Sequence, residues 1–268
     1  MSLLRLLVDA GNSRVKFGLF DGSREPSGLP ICGSSVAVAV QSAWPWEEIR
    51  RWRLPDELRE ASSFVAGSNP AEIARLLEAW PEEWHAPQKI GYSQETFPLV
   101  VELPEPQKAG IDRLLNAVAA NSFRDPNRPV LIVDSGTATT VDAVSSRGHF
   151  LGGAILPGFE LSALALHHYT ALLPLIPLED LSASAPPKAV GTNTRAAMQS
   201  GLFWGQVGAV KELLDQSRRQ LGFQDPLILT TGGGGELLAP QIDGARWMPH
   251  LSLQGLDLVI DELRPRSR

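Results

Sequence analysis

Cysteine is nearly absent from this sequence, which has only Cys32 among its 268 residues. A lone cysteine cannot form an intrachain disulfide, so the sequence excludes a disulfide-stabilised scaffold and indicates a reducing compartment. Long hydrophobic runs are absent as well, since no stretch approaches the roughly 18 apolar residues of a membrane-spanning helix. We therefore expect a cytoplasmic protein with no membrane partner.

Runs of basic residues are also missing. The 24 lysines and arginines are outnumbered by 30 aspartates and glutamates, which gives a formal net charge of −6. Because nucleic acids are bound mainly through clustered basic side chains, this balance argues against a nucleic-acid partner. The 43% hydrophobic content is ordinary for a globular protein with a substantial core.

One pattern occurs twice, in residues 6–22 and again in residues 131–144. Each copy is an apolar run ending in Asp, followed by a small residue, a glycine, a small polar residue and a second strand-like run. A third strand-like segment follows each copy, so three antiparallel strands precede helices twice. This order predicts an α/β protein with two duplicated ribonuclease-H-like domains, each a mixed sheet flanked by helices. A turn signal at residues 125–127 places the domains at residues 1–125 and 126–268.

The two Asp-x-Gly turns could hold the phosphates of a nucleotide. Gly11 and Gly136 would let phosphate oxygens approach the backbone without meeting a Cβ, and glycine also tolerates the positive φ of tight turns. Ser13 and Thr137 would add hydroxyl donors. The alternative is that each Asp-Gly is an ordinary hairpin turn at a strand end.

The carboxylates in these turns, Asp9 and Asp134, cannot bind phosphate directly because like charges repel. Their natural partner is a cation, and Mg²⁺ held partly through water is the expected bridge between carboxylate and phosphates. Because both turns follow a buried strand and precede a second strand, we favour a phosphate site over two unrelated hairpins.

Asp112 lies in the segment Gly-Ile-Asp-Arg, just before an apolar helical pattern. Its side chain could cap that helix by accepting hydrogen bonds from free backbone N–H groups. It could instead act as a general base beside Arg113, whose guanidinium suits an anion. The local sequence alone favours the cap.

Two further segments could serve either structure or binding. The glycine run at residues 232–235 follows a short strand-like segment, and a flexible loop and a ligand-binding loop are equally compatible with it. Asn193 or Thr194 could cap the long helical pattern that ends before Gly222, and capping is the simpler interpretation.

Taken together, five ordered segments resemble the motifs of type III pantothenate kinases, in the superfamily of acetate and sugar kinases, heat-shock proteins and actin. The segments are residues 9–13, 110–113, 134–140, 152–158 and 191–194. An ordered set of five is far more specific than any one of them. The resemblance therefore reverses the local interpretation of Asp112.

The resemblance implies ATP-dependent phosphorylation of pantothenate to 4'-phosphopantothenate, the first step of coenzyme A biosynthesis, by a homodimer with its site in the cleft between the domains. It makes Asp112 the proton acceptor and Arg113 the residue that orients the substrate. It assigns Asp9 to Mg²⁺ through water, and Asp134 to a monovalent cation, K⁺ or NH₄⁺.

The same resemblance implies two sets of binding residues. Contacts to ATP and its phosphates fall on Asp9, Ala10, Gly11, Asn12, Ser13, Arg14, Val15, Lys16, Gly136, Thr137, Gly232 and Gly233. Contacts to pantothenate fall on Gly110, Ile111, Asp112, Arg113 and Thr194.

Three positions depart from the family pattern. Ile111 replaces the usual alanine, Leu103 stands where a tyrosine is often found, and Gly234 replaces a polar residue. These departures keep open a kinase for another small hydroxyl acceptor. A nucleotide-binding accessory or regulatory relative with little kinase activity is the other alternative, although retention of all four charged motif residues speaks against it.

Overall fold

The computed structural model describes residues 4–181 and 185–263. Within these residues the chain divides into two units. The first unit comprises the described residues up to Arg124 together with those from His250 onward, and the second runs from Asp125 to Pro249.

The strands of the first unit are β1 (Arg5–Ala10), β2 (Arg14–Phe20), β3 (Ser34–Ala39), β4 (Ser62–Ala66) and β5 (Gln88–Lys89). Its helices are α1 (Trp46–Ile49), α2 (Pro55–Glu60), α3 (Pro70–Glu78), α4 (Ile111–Phe123) and, from the end of the chain, α8 (Leu251–Leu263), with a 3₁₀ turn at Pro106–Lys108.

In the described part of the first unit, these strands form one sheet in the order β3-β2-β1-β4-β5. The strands β1, β2 and β3 are antiparallel neighbours, whereas β4 lies parallel to β1 and β5 parallel to β4. Every residue of β1 is buried, which explains why its sequence is a continuous apolar run rather than an alternating one.

The strands of the second unit are β6 (Val130–Ser135), β7 (Ala138–Val144), β8 (Phe150–Pro157), β9 (Leu227–Thr231) and β10 (Ala245–Trp247). Its helices are α5 (Phe159–His168), α6 (Thr194–Leu221) and α7 (Gly235–Leu238), with 3₁₀ turns at Leu178–Asp180 and Ala239–Gln241.

The second sheet repeats the first. Across the described residues its order is β8-β7-β6-β9-β10, with β6, β7 and β8 antiparallel and β9 and β10 added in parallel. The central strand, β6, occupies the place that β1 has in the first sheet. The predicted class is confirmed: this is an α/β protein with two duplicated ribonuclease-H-like sheets flanked by helices.

The C-terminal helix differs from the predicted division. The sequence predicts a second domain over residues 126–268, but α8 packs against α4, β1 and β2 and so belongs with the first unit. Its buried Asp257 forms ion pairs with the buried Arg5 of β1 and with the partly exposed Arg24. The expectation followed position along the chain, whereas buried charge and an apolar helix face decide where the helix packs.

The tryptophan-rich segment of the first unit is part of its core. Trp46 makes edge-to-face contacts with Phe17 of β2 and with Trp84. The guanidinium of Arg75 lies over the ring of Trp44, 3.7 Å from its centroid. Packing, not an exposed binding patch, accounts for these side chains.

The lone cysteine is a free, partly buried thiol. Burial raises the pKa of Cys32 to about 11, so the thiol stays protonated at neutral pH. Among the described residues, no helix is both long and apolar enough to cross a membrane.

Candidate active site

The first Asp-x-Gly turn joins β1 to β2. Asp9 lies in β1 opposite Lys16 of β2, and its carboxylate is buried, with 5% of the residue exposed. Lys16 Nζ lies 3.8 Å from Asp9 Oδ2. A strand-end carboxylate thus lies beside a lysine on the neighbouring strand, as the antiparallel register requires.

The turn itself is held by main-chain hydrogen bonds. Gly11 N donates to Arg14 O over 3.0 Å, and Val40 N donates to Ser13 O over 2.9 Å. Contrary to the expected turn geometry, neither Gly11 nor Asn12 has a positive φ. Gly11 therefore contributes the absence of a side chain, and Asn12 contributes a polar side chain. Neither supplies a left-handed backbone.

Other residues of the first motif have different surroundings. Arg14 and Asn12 are exposed, whereas the side chain of Val15 is fully buried in the core. Of the residues expected to contact ATP, Val15 can therefore offer only its main chain. Asn12 Nδ2 donates to Ser68 Oγ over 3.3 Å, which ties the turn to the loop after β4.

The beginning of α8 reaches the same carboxylate, which the sequence did not predict. Ser252 Oγ donates a hydrogen bond of 2.7 Å to Asp9 Oδ2. Burial lowers the pKa of His250, two residues before Ser252, and the positive charge of Lys16 lowers this pKa further. The pair Ser252 and Asp9 is 243 positions apart, so no local pattern signals it.

Asp112 is the second residue of α4 and does not cap the helix. The N-cap is Gly110, and Asp112 lies in the first helical turn, half-buried. Its Oδ1 accepts a hydrogen bond of 2.9 Å from the backbone N–H of Arg113. The local prediction of a capping aspartate is therefore wrong by two positions, and the side chain stays near the helix N-terminus, where negative charge is favoured.

The second Asp-x-Gly turn joins β6 to β7 in the second unit. Asp134 lies in β6 between Thr140 of β7 and Thr231 of β9. The glycine run after β9 folds over it: Gly234 N donates to Ser135 O over 2.8 Å, and a Cβ on Gly232 would lie 2.4 Å from Asp134 Oδ1. The structure thus brings together the second turn and the glycine loop.

The N-cap residue of α5, Gly158, contacts the other side of this turn. Gly158 N donates to Thr137 O over 3.0 Å, and Gly136 N donates to Ala138 O over 3.0 Å. Gly136 and Gly233 are exposed, whereas Gly232 is buried. Main-chain groups of β6, of the glycine run after β9 and of the residue before α5 therefore meet around one short turn.

A buried chain of hydrogen bonds supports the turn from behind. Gln206 of α6 donates to Thr139 Oγ1 over 2.8 Å, and Thr139 Oγ1 lies 3.1 Å from Ser135 Oγ. All three side chains are buried. Sequence reasoning missed Gln206, since a glutamine inside a long helix gives no signal of its partner.

The N-terminus of α6 carries the remaining predicted residue. Asn193 is the cap, accepting a hydrogen bond of 2.9 Å from Ala196 N, and Thr194 is the exposed first residue of the helix. The capping interpretation is confirmed for Asn193. Thr194 is left with its side chain accessible to a ligand.

A Mg²⁺ ion bound mainly through water and phosphate fits the donors at Asp9. In the described residues, no group of three or more His, Cys, Asp or Glu could hold a metal ion by itself. Asp9 has one carboxylate oxygen engaged by Ser252 and Lys16, which leaves the other oxygen for a water of hydration. Mg²⁺ characteristically keeps several waters and uses one or two carboxylates together with substrate phosphates.

The comparison with known protein families decides which family the chain belongs to. The sequence model of type III pantothenate kinase matches residues 5–216. The chain belongs to the type III pantothenate kinase family. A family member from Ruegeria sp. (strain TM1040) is 38% identical over 255 residues, which cover 94% of this chain and 94% of that protein.

Solved structures agree on the fold of this type III pantothenate kinase family member. A Baf family transcriptional activator from Campylobacter jejuni has a TM-score of 0.56 at 20% identity, covering 96% of this chain and 98% of that one. The activator of 2-hydroxyisocaproyl-CoA dehydratase from Clostridium difficile has a TM-score of 0.51 at 12% identity, covering 99% of this chain and 100% of that one. At these identities the likeness concerns the fold alone.

Proposed function

We propose that this protein transfers the γ-phosphoryl group of ATP to the primary hydroxyl of pantothenate, giving 4'-phosphopantothenate, the first step of coenzyme A biosynthesis. The observation that carries the proposal is the doubled turn, with Asp9 and Asp134 at equivalent ends of two central strands, in a chain of this family. Phosphoryl transfer depends more on positioning and charge neutralisation than on covalent help from the protein.

Asp112 accepts the proton of the substrate hydroxyl in this proposal. This role is supported by the half-buried carboxylate of Asp112 in the first turn of α4. Its Oδ1 accepts a hydrogen bond from the N–H of Arg113. Arg113, the next residue, orients pantothenate through its guanidinium, whose planar donors suit a carboxylate. We also assign contacts with pantothenate to Gly110, Ile111 and Thr194.

Asp9 and the first turn hold the hydrated Mg²⁺ that accompanies ATP. When bound, this ion neutralises charge on the phosphate oxygens. The chain supplies the buried carboxylate of Asp9, the Lys16 ammonium beside it, and the main-chain groups between them.

Asp134 binds K⁺ or NH₄⁺ in the second unit. The proposal rests on a half-buried carboxylate in a tight turn that the main chain of Gly232, in the glycine loop, approaches closely. Oxygen ligands of this kind suit a weakly hydrated monovalent cation. Thr137, Gly136, Gly232 and Gly233 would contact the phosphates of the nucleotide.

We also propose a cytoplasmic homodimer, assembled through an apolar surface of the second unit. Large hydrophobic side chains are exposed on β8, on α5 and in the segment after it, and on and before α6. They are Ile155, Leu161, Leu164, Leu166, Tyr169, Leu172, Leu175, Val190 and Trp204. Exposed large apolar side chains in this number suit burial against a second copy of the chain better than contact with water.

The test is an ADP-release assay with pantothenate, with and without K⁺, on the wild type and on Asp112→Asn. We expect turnover that needs both pantothenate and K⁺. Because the amide cannot accept the hydroxyl proton, Asp112→Asn should lower kcat by about 10²- to 10⁴-fold, while ATP affinity measured by calorimetry stays unchanged.

Asp56→Asn is the matched control, since Asp56 is an exposed aspartate of the same unit whose described contact is a surface pair with Arg59. Near-normal turnover in Asp112→Asn would contradict the assignment. ATP binding by the wild type without turnover would favour the regulatory relative, and turnover with a different hydroxyl compound would reassign the acceptor.

A further inference from the structure

The carboxylate of Asp9 receives a hydrogen bond from the far end of the chain. Among the described residues, its contacts are the hydrogen bond from Ser252 Oγ, at 2.7 Å, and the ion pair with Lys16 Nζ, at 3.8 Å. Both fall on Oδ2. The other oxygen, Oδ1, has neither of these contacts and is the one that would face a hydrated cation.

Ser252 is the closer of the two groups and the better fixed. Its hydrogen bond to a carboxylate is charge-assisted and buried, with 3% of Ser252 and 5% of Asp9 exposed. Lys16 lies beyond hydrogen-bond distance and has a partly exposed side chain. The hydroxyl, not the ammonium, thus sets the rotation of the carboxylate.

The helix that carries Ser252 is held rigidly on the first unit. A Cβ on Gly255 would lie 1.9 Å from the backbone oxygen of Leu115, so α8 and α4 touch along their main chains. Two residues after Gly255, the buried Asp257 forms ion pairs with Arg5 and Arg24. Arg5 lies on the same strand as Asp9, so its ion pair with Asp257 fixes α8 to the strand that carries the carboxylate.

We propose that Ser252 is a positioning residue, which orients the carboxylate of Asp9 toward the hydrated Mg²⁺ of the nucleotide. The inference rests on the proposed function and adds to it a residue outside the five sequence motifs. Removing a group that orients a metal-binding carboxylate typically lowers metal affinity by roughly 10- to 100-fold. The loss should therefore appear in the Mg²⁺-dependent part of ATP binding.

The experiment measures ATP binding by isothermal titration calorimetry, with Mg²⁺ and with EDTA, for the wild type, Ser252→Ala and Ser252→Thr. In the wild type Mg²⁺ should strengthen ATP binding. Ser252→Ala should reduce that gain by about tenfold and leave the affinity in EDTA unchanged. Ser252→Thr retains a hydroxyl and should restore the gain.

Gln254→Met is the matched control on the same helix. Gln254 is also buried, but its Nε2 donates to Pro30 O over 2.8 Å rather than to Asp9. Its substitution should therefore lower thermal stability and leave the Mg²⁺ gain intact. Thermal unfolding of each variant verifies that the titrated protein is folded.

The possible outcomes distinguish a failure of the role proposed for Ser252 from a failure of the proposed kinase activity. A full Mg²⁺ gain in Ser252→Ala, or an equal loss of affinity with Mg²⁺ and with EDTA, would overturn the positioning role while leaving the kinase intact. A wild type whose ATP binding ignores Mg²⁺, and which releases no ADP with pantothenate, would overturn both.

Discussion

Gly232 has a φ of +80°, and any side chain there would meet the Asp134 carboxylate. Its burial beneath the second turn couples two constraints, a left-handed backbone and a close approach. At the scale of single residues this is where the candidate site tolerates least change. It is also the part of the glycine run whose role the sequence left undecided between a flexible loop and a ligand loop.

We predict that Gly232→Ala weakens K⁺ activation by about tenfold and lowers stability by more than the roughly 1–2 kcal/mol of a left-handed alanine. The added Cβ would displace Asp134 from its place between β7 and β9. K⁺ titration of the ADP-release assay and urea unfolding measure the two effects.

Gly244→Ala is the control for the backbone alone. Gly244 also has a positive φ, +73°, but nothing lies within 4 Å of the position of its Cβ. It should therefore show the conformational cost without the loss of K⁺ activation. Equal effects from both substitutions would refute the steric role assigned to Gly232.

Asp112 shows how far single residues can be interpreted from the sequence. The helix after it was predicted correctly, because an apolar pattern with the helical period is a local property. The identity of the cap was not, since aspartate is favoured both at the cap and in the first turn. Only the backbone path decides between positions two residues apart.

At the scale of elements, α3 shows how one helix fixes a neighbouring turn. Its buried Glu72 accepts hydrogen bonds from Gln41 N, just after β3, and from Arg75. Gln41 has a positive φ of 62°, which is costly for a residue with a side chain. The Arg75 guanidinium, stacked on Trp44, lowers the pKa of Glu72 below its ordinary value of 4.5.

The pH dependence of stability follows from this lowered pKa. The charged form of Glu72 stabilises the folded state fully above the unfolded pKa, and the contribution is lost as the pH falls through the folded pKa. Glu72→Gln should therefore be less stable than the wild type by about 1–2 kcal/mol at pH 7. The difference should shrink as the pH is lowered below about 4.5, as measured by urea unfolding at each pH.

Glu78→Gln provides the comparison, because Glu78 lies on the exposed face of the same helix. Its stability should follow that of the wild type at every pH. A Glu72→Gln deficit that stays constant down to pH 3 would mean that its charge contributes nothing.

The helix α8 marks the limit of prediction at this scale. Its apolar residues indicate a helix with a buried face, but that periodicity does not say which surface covers the face. In the structure α4, β1 and β2 cover it. The assignment of this segment to the second domain was therefore wrong. Because of that assignment, the sequence could not predict that Ser252 lies beside Asp9.

At the scale of the whole molecule, we predict that Leu164→Arg converts a dimer into a monomer. Leu164 is 50% exposed on α5, within the apolar surface of the second unit. A charge buried in a dimer interface costs far more than one on a free surface. Sedimentation velocity at micromolar protein measures the change.

Leu54→Arg is the control for this prediction. Leu54 is 70% exposed but lies in the first unit, outside the apolar surface. Its substitution should leave the dimer intact. A wild type that sediments as a monomer would reject the proposed assembly, whereas dissociation by both substitutions would place the interface elsewhere.

The sequence by itself determined the three antiparallel strands of each sheet and the carboxylate at the end of each central strand. Each strand–turn–strand unit is encoded within about twenty residues, by an apolar run, an Asp-Gly turn and a second run, and short-range pairing of this kind needs no knowledge of the rest of the chain. It therefore located Asp9 and Asp134 at equivalent strand ends.

Tertiary structure alone decided what surrounds those carboxylates. Ser252 reaches Asp9 from 243 positions away, and Gln206 reaches Thr139 across 67. Contacts over such separations depend on which apolar faces cover one another and on where buried charges such as Asp257 find partners. A local apolar pattern predicts that one face of an element is buried. Which surface covers that face is decided only when the whole chain folds.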